Sequence, residues 1–169
     1  MADQHINLIL DKKQTLQRIK RIAFEIYEQN FKAKEIILAG IYDKGYIFAG
    51  LLQKELSGIC QIKTRLVKVK LDKTSPLQSE IELDAELKEL KNKTIILTDD
   101  VLNTGQTLAY SLKPFLEIET AKIQTAVIVD RRHKIFPVSA DYVGYSLSTT
   151  LKEHIEVSFE KSRFGVYLR

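Results

Sequence analysis

Thr94-Ile95-Ile96-Leu97-Thr98-Asp99-Asp100-Val101-Leu102-Asn103-Thr104-Gly105-Gln106-Thr107 decides how the rest of this 169-residue chain is read. Residues 94–98 are β-branched and apolar, the composition of a short strand covered on both faces in a mostly parallel sheet. Asp99 and Asp100 are expected to break that strand and deliver two adjacent carboxylates into a tight turn. From Thr104, the order Thr-Gly-x-Thr followed by Leu108, Ala109, Leu112 and Phe115 predicts a helix reached through a small, hydroxyl-bearing loop. Such a loop aims unpaired backbone N–H groups at one spot, the helix dipole adds positive potential, and Gly105 lets an anion come close to the backbone. The expected ligand is a phosphate.

A carboxylate pair directly before a phosphate cradle makes chemical sense when the ligand also carries hydroxyls. A phosphorylated ribose does: the carboxylates accept from its vicinal hydroxyls while the loop holds the phosphate on C5. Asp99-Asp100-Val101-Leu102-Asn103-Thr104-Gly105-Gln106-Thr107 resembles the phosphoribosyl pyrophosphate (PRPP) motif of type I phosphoribosyltransferases. The resemblance implies an α/β fold with a mostly parallel central sheet flanked by helices, a flap and a small base-binding hood. It also implies that Asp99 and Asp100 act on the ribose, while Val101, Asn103, Thr104, Gly105, Gln106 and Thr107 complete the sugar-phosphate site.

Upstream, residues 6–10 suit an edge strand, and Asp11 is placed to cap a helix over 12–30. Leu16, Ile19, Ile22, Ala23 and Ile26 form its apolar stripe, while Lys12, Lys13, Arg18, Lys20 and Arg21 fall mainly off it. That basic face is either a solvated surface or a contact for nucleic acid. Residues 36–41 are a fully apolar strand, followed by Tyr42-Asp43-Lys44-Gly45 and a helix carrying Ile47, Phe48, Leu51, Leu52 and Leu56. In the resemblance this loop binds pyrophosphate, which assigns that role to Ile41, Tyr42, Asp43, Lys44 and Gly45, with Lys44 as a point charge.

Residues 60–71 end in strand-like alternation, with Val67, Val69 and Leu71 opposing Lys68 and Lys70. Residues 72–79 break the pattern, and Ile81 and Leu83 alternate with acidic residues as the returning strand of a short antiparallel flap. The resemblance implies that this flap closes over PRPP and excludes water. Residues 122–130 are another buried strand, whose carboxyl end lies where ligands gather in open α/β sheets. Residues 155–159 and 164–168, separated by Glu160-Lys161-Ser162-Arg163, predict a terminal hairpin.

Composition agrees with a globular chain, which the resemblance reads as one phosphoribosyltransferase domain over residues 1–169. It is 44% hydrophobic and 28% charged, with three prolines and no low-complexity tract. A single cysteine, Cys60, excludes an intramolecular disulfide and fits a cytoplasmic protein. Residues 1–5 lack the basic and apolar pattern of a leader, and no stretch is long and apolar enough to be read as a membrane span. The net charge of +4 would attract phosphorylated sugars, polyphosphates and nucleic acid alike.

The resemblance is nearest to the PyrR family, pyrimidine-operon attenuation regulators that also act as uracil phosphoribosyltransferases. It extends from Ile9-Leu10-Asp11 to Asp130-Arg131-Arg132-His133 and Asp141-Tyr142-Val143-Gly144. The last two segments correspond to the hood over the base, which assigns base recognition to Asp130, Arg131, Tyr142, Val143 and Gly144, partly through backbone groups. The alternative for Tyr142 and Val143 is that they are ordinary core residues. Asn103 stands where hypoxanthine enzymes carry an Asp proposed to handle a purine proton, and an amide is no general base.

The expected reaction is transfer of ribose 5-phosphate from PRPP to uracil, giving UMP and pyrophosphate. Mg²⁺ is expected to be held mainly by PRPP oxygens and water, with no dedicated protein ligand. Alternatives are an RNA-binding regulator or nucleotide sensor with little turnover, and a hypoxanthine or guanine enzyme. Partners implied are PRPP, a nucleobase, a second copy of the chain and, in the regulator alternative, RNA.

Overall fold

In the computed structural model, which describes residues 6–77 and 80–169, the apolar runs become the centre of a six-stranded sheet. The leader reading of residues 1–5, and residues 78 and 79 of the expected flap turn, lie outside the described residues. The chain begins with β1 (Asn7–Leu10), α1 (Lys12–Asn30), β2 (Glu35–Ile41), α2 (Lys44–Ile59), β3 (Lys63–Lys70) and β4 (Glu82–Leu83). A 3₁₀ turn at Leu87–Leu90 leads to β5 (Thr94–Leu102), α3 (Gln106–Ser111), α4 (Lys113–Leu116) and β6 (Lys122–Asp130). β7 (Tyr142–Ser146), β8 (Ile155–Ser158) and β9 (Gly165–Leu168) complete it. The six-stranded sheet has the order β4-β3-β2-β5-β6-β7, parallel except for β4.

Burial on both faces explains the unbroken apolar runs. Ile36, Leu38, Ile96, Ala126 and Ile128 join Ile19, Ile22, Ile26, Phe48 and Leu52 of α1 and α2 in one core. Ile37, Ala39, Ile95, Leu97 and Val127 turn to the opposite face, where Leu90, Leu108 and Phe115 meet them. The alternation is set by the strand period of two, so a one-residue slip would exchange the two cores. The predicted terminal hairpin is present as β8 and β9, and β1 pairs with β9 in a separate three-stranded sheet. β4 returns antiparallel along β3 at Val69–Leu83, as the flap pattern requires. No described helix is long and apolar enough to cross a membrane.

Two expectations are corrected. Asp99 and Asp100 do not end their strand: β5 continues to Leu102, with Asp99 opposite Val127, Val101 opposite Val129 and Leu102 opposite Asp130. The neighbouring β6 supplies a ladder for the backbone, so a charged side chain does not terminate it. The helix after Gly105 does not run through to Phe115; it divides into α3 and α4 around Leu112. Pro114 has no N–H for the carbonyl four residues back, although Phe115 is still delivered into the core.

The first helix follows its sequence closely. Gln14 N donates to Asp11 Oδ1 at 2.8 Å, and Asp11 N donates to Gln14 Oε1 at 2.9 Å, which closes a capping box. Replacing Asp11 by Ala is expected to cost about 1 kcal/mol of stability, read as a lower midpoint in urea with an unchanged slope.

Candidate functional site

The site forms at the carboxyl ends of β2 and β5, and Gly45 decides how close those ends come. A Cβ on Gly45 would stand 2.5 Å from the Thr98 carbonyl oxygen and 2.9 Å from the Asp99 Cα. Only a residue without a side chain lets the start of α2 rest on β5 there. Thr98 Oγ1 donates to the Gly45 carbonyl at 2.7 Å and fixes the contact from beneath. The loop before it contains a cis peptide between Tyr42 and Asp43. Ile41 is buried below this loop, Tyr42 and Asp43 are exposed, and Lys44 is half-buried. The Lys68 ammonium lies 5.3 Å from the Tyr42 ring centre and 5.0 Å from that of Tyr46, and Lys70 lies 5.8 Å from Tyr42. Two lysines of β3 thus lie over Tyr42 of the loop, and one of them also over Tyr46 in the first turn of α2, adding positive potential beside the loop.

Asp99 is almost wholly buried, at 2% exposure, whereas Asp100 is half-buried. Asp100 N donates to Asp99 Oδ1 at 2.9 Å, and Lys73 Nζ, reaching over from the β3–β4 connection, donates to the same oxygen at 3.1 Å. Burial pushes the Asp99 carboxyl up to about 7; the neighbouring Asp100 carboxylate adds to this and Lys73 opposes it. The pair opens on a cavity of about 300 Å³. Its wall is residues 99–108, with Lys73 and Ile155 closing the rim.

Beyond the pair the backbone turns at Gly105, whose φ of +85° lies in the left-handed region that favours glycine. Gln106 N donates to Thr104 Oγ1 at 3.3 Å. The Thr104 carbonyl accepts from Ile135 N at 2.8 Å and Phe136 N at 3.0 Å, which seats residues 131–138 against the turn. Phe136 then packs edge-on to Tyr110 of α3, with ring centres 6.0 Å apart. Thr104, Gly105, Gln106 and Thr107 therefore line the same cavity as Asp99 and Asp100. A ligand with both an anionic group and hydroxyls suits this lining by charge and by donor–acceptor type.

The two segments read as a hood contain side chains that do different work from one another. Asp130 Oδ1 accepts from Arg132 N at 2.9 Å. Arg131 is buried and fully committed: it donates to Thr149 Oγ1 at 2.6 Å, to the Thr150 carbonyl at 3.0 Å and to the Glu153 carbonyl, and its Nη1 stands 3.4 Å from Asn103 Oδ1. His133 Nε2 lies 2.7 Å from the Thr149 carbonyl oxygen. Arg131 and His133 together brace the 147–154 loop against the end of the cavity. Tyr142, expected as a wall for a base, is a core residue instead. Its ring is fully buried on the α1 side, and its hydroxyl donates to Gln124 Oε1 at 2.8 Å and meets Asn30 Nδ2 at 3.2 Å. Burial pushes its phenol up to about 12. Val143 turns to the opposite core, and Arg21 Nη2 donates to the carbonyls of Val143 at 2.7 Å and Gly144 at 2.8 Å.

Sequence reasoning missed Lys73, Arg21 and Ile155. Lys73 carries no local signal, since its partner is 26 residues away. Arg21 was legible only as an off-stripe cation on α1. Among the described residues, no three His, Cys, Asp or Glu side chains converge as a metal site. The carboxylate pair can supply oxygen ligands only alongside others brought by a ligand.

Comparison with known proteins agrees with this geometry. Residues 5–160 match the phosphoribosyl transferase domain family. The bifunctional protein PyrR of Haemophilus ducreyi is 34% identical, with 90% of this chain and 89% of that protein covered. PyrR of Clostridium beijerinckii is 33% identical, covering 92% and 91%. Among solved structures, the hypoxanthine phosphoribosyltransferase of Trypanosoma cruzi superposes with a TM-score of 0.78 at 16% identity, covering 96% of this chain and 94% of that one. A hypoxanthine-guanine phosphoribosyltransferase of Bacillus anthracis gives 0.76 at 14% identity, covering 96% of each chain. At those identities the structural likeness concerns the fold.

The Gly45 contact provides a direct test of how the site is assembled. Gly45→Ala is expected to cost about 1–3 kcal/mol, because its methyl meets backbone that cannot rotate away. Thermal unfolding measures the loss, and a variant as stable as the parent would show that α2 does not need this approach.

Proposed function

The chain belongs to the phosphoribosyl transferase family, and from that premise we propose that it transfers ribose 5-phosphate from PRPP to uracil, releasing pyrophosphate and UMP. The observation that carries this reading is that one cavity is lined both by the Asp99–Asp100 pair and by the turn at residues 104–107. Residues 104–107 would hold the 5′-phosphate, and Asp99 and Asp100 the ribose hydroxyls. The loop of residues 41–45, with Lys44 as its cation, would take the pyrophosphate. Mg²⁺ brought on PRPP oxygens would neutralise the leaving group, and the residues present fit that role because the carboxylate pair adds acceptors without forming a closed cage.

In the reaction, the C1–O bond breaks with its electron pair leaving on pyrophosphate. The lone pair of uracil N1 forms the new C1–N bond, and the N1 proton is released. No side chain need form a covalent bond. Catalysis would rest on in-line positioning and on acceptors aimed at a sugar that becomes cationic as the leaving group departs. Asp130 and Arg131 would frame the base, with the Val143 and Gly144 main chain held in place by Arg21; the Tyr142 side chain takes no part.

Uracil is favoured over a purine for two reasons. Asn103 offers an amide, which cannot exchange a proton as a carboxylate does. The relatives matched over about 90% of this chain carry the name bifunctional protein PyrR, not that of a purine enzyme. A second reading, binding to RNA, is favoured by that same name and by the off-stripe lysines of α1. Binding that weakens steeply with salt would support it.

The test is a panel of free bases with PRPP and Mg²⁺, followed by pyrophosphate release. Uracil is expected to be consumed and hypoxanthine and guanine left unchanged. Turnover of a purine alone would overturn the uracil assignment, and turnover of no base would overturn the enzyme. Asp99→Asn together with Asp100→Asn is expected to weaken PRPP binding about 100-fold or more, since two charged hydrogen-bond acceptors are lost.

A further inference from the structure

At the carboxyl ends of β2 and β3, one lysine is held beside the aromatic residues that flank the loop assigned to pyrophosphate. Lys68 is the register partner of Gly40. A Cβ on Gly40 would stand 2.4 Å from the Tyr46 Cα, so the first turn of α2 rests directly on β2 there and comes next to Lys68. The loop is also fastened to β3, since Tyr42 N donates to the Val69 carbonyl at 2.8 Å. The Lys68 ammonium consequently lies over two rings, 5.3 Å from the centre of Tyr42 and 5.0 Å from that of Tyr46. Ring faces attract a cation without neutralising it.

The charge held there is not taken up by an acid. Among the described residues, no carboxylate lies within ion-pair distance of the Lys68 ammonium or of Lys70 beside it. Asp84, the acid that follows β4, accepts at 2.6 Å from the Lys68 backbone N and not from its side chain. Lys44 differs, because it has a carboxylate in its field: burial raises the Glu156 carboxyl, but Arg163, Arg169 and Lys44 together hold it below its usual range. The cation that the loop's own motif supplies is therefore partly offset, whereas the one brought by β3 is not.

We propose that Lys68 is a pyrophosphate-binding residue: the rings of Tyr42 and Tyr46 hold its side chain at the loop of residues 41–45, and its ammonium donates to oxygens of the leaving group. This deepens the proposed function and rests on its assignment of that loop to pyrophosphate. A pyrophosphate group carries several negative charges, and a lysine already ordered by aromatic contacts meets them with little further loss of side-chain freedom. As the C1–O bond breaks, its electron pair adds to the charge on the leaving group, so the contact strengthens while pyrophosphate departs.

The experiment uses the full chain with Mg²⁺ and measures binding of PRPP, inorganic pyrophosphate and ribose 5-phosphate by calorimetry. It compares the parent with Lys68→Met, which keeps an apolar stem beside the rings, and with Lys88→Met, which removes the same charge from an exposed lysine paired with Glu86. Lys68→Met is expected to weaken PRPP and pyrophosphate about tenfold or more and ribose 5-phosphate less than about twofold, since one charged hydrogen bond to the leaving group is lost. Lys88→Met is expected to change each by less than about twofold. Unchanged PRPP binding in Lys68→Met overturns the proposal, as does a loss of ribose 5-phosphate equal to that of PRPP, which a residue that only shapes the site would give. An equal loss in Lys88→Met also overturns it, by marking a general effect of charge. If the parent binds ribose 5-phosphate but neither pyrophosphate nor PRPP more tightly, the assignment of the loop falls and Lys68 with it. A parent that binds PRPP and transfers it to no base loses the enzyme reading alone, and the binding comparison still decides Lys68.

Discussion

The close approach of α2 to β5 at Gly45 is the constraint from which the rest of the site follows. It joins two strand-loop-helix units at their carboxyl ends, with the Gly45 carbonyl on the Thr98 hydroxyl and no side chain between. Asp99 is buried because this contact covers it from one side while β6 covers the strand from the other. Lys73 Nζ reaches the buried Asp99 Oδ1 from the β3–β4 connection at 3.1 Å. A larger residue at position 45 would separate the loop that carries Lys44 from the carboxylate pair, and the lining of the cavity would be misplaced. The glycine is therefore part of the site's geometry even though it presents no chemistry of its own.

The elements that could be read from the sequence are those whose signal is local. The capping box at Asp11 and Gln14, the apolar runs of β2, β5 and β6, and the alternation at Val67, Val69 and Leu71 each report a neighbour within a few residues or a burial pattern along one strand. The acidic pair and Thr-Gly-x-Thr were legible for the same reason. What was misread involves competition between a local preference and a tertiary partner. Asp99 and Asp100 look like strand breakers, but β6 offers hydrogen bonds through Leu102 and the ladder prevails. Tyr142 has an aromatic ring and a polar tip that suit either a ligand wall or a core, and a buried network with Asn30 and Gln124 settles it as core. Lys73 could not be found at all, since nothing within its own turn distinguishes it from a solvated lysine.

The same division separates the two kinds of arginine in the hood. Arg131 sits in a motif and invites a role in recognition, yet its donors are taken up by Thr149, Thr150 and Glu153. A guanidinium with four internal acceptors, Asn103 Oδ1 being the fourth, is a brace, and the entropy of a long side chain has already been spent in the folded protein. Arg21 belongs to a face that reads as surface, yet it bonds the carbonyls of Val143 and Gly144 and so ties α1 to the edge strand β7.

These placements bear on how a base would be told apart. Specificity in such a hood cannot come from Arg131, whose geometry is set by the 147–154 loop, nor from the Tyr142 ring, which faces the opposite side of the sheet. It would have to come from main-chain groups and from polar side chains of the cavity lining such as Asn103. A site built on hydrogen bonds to backbone discriminates strongly, because a wrong base leaves buried polar groups unpaired. The superposition on hypoxanthine enzymes is compatible with this, since it reports where strands and helices run. The choice between a pyrimidine and a purine lies in a few polar atoms that such a superposition does not compare.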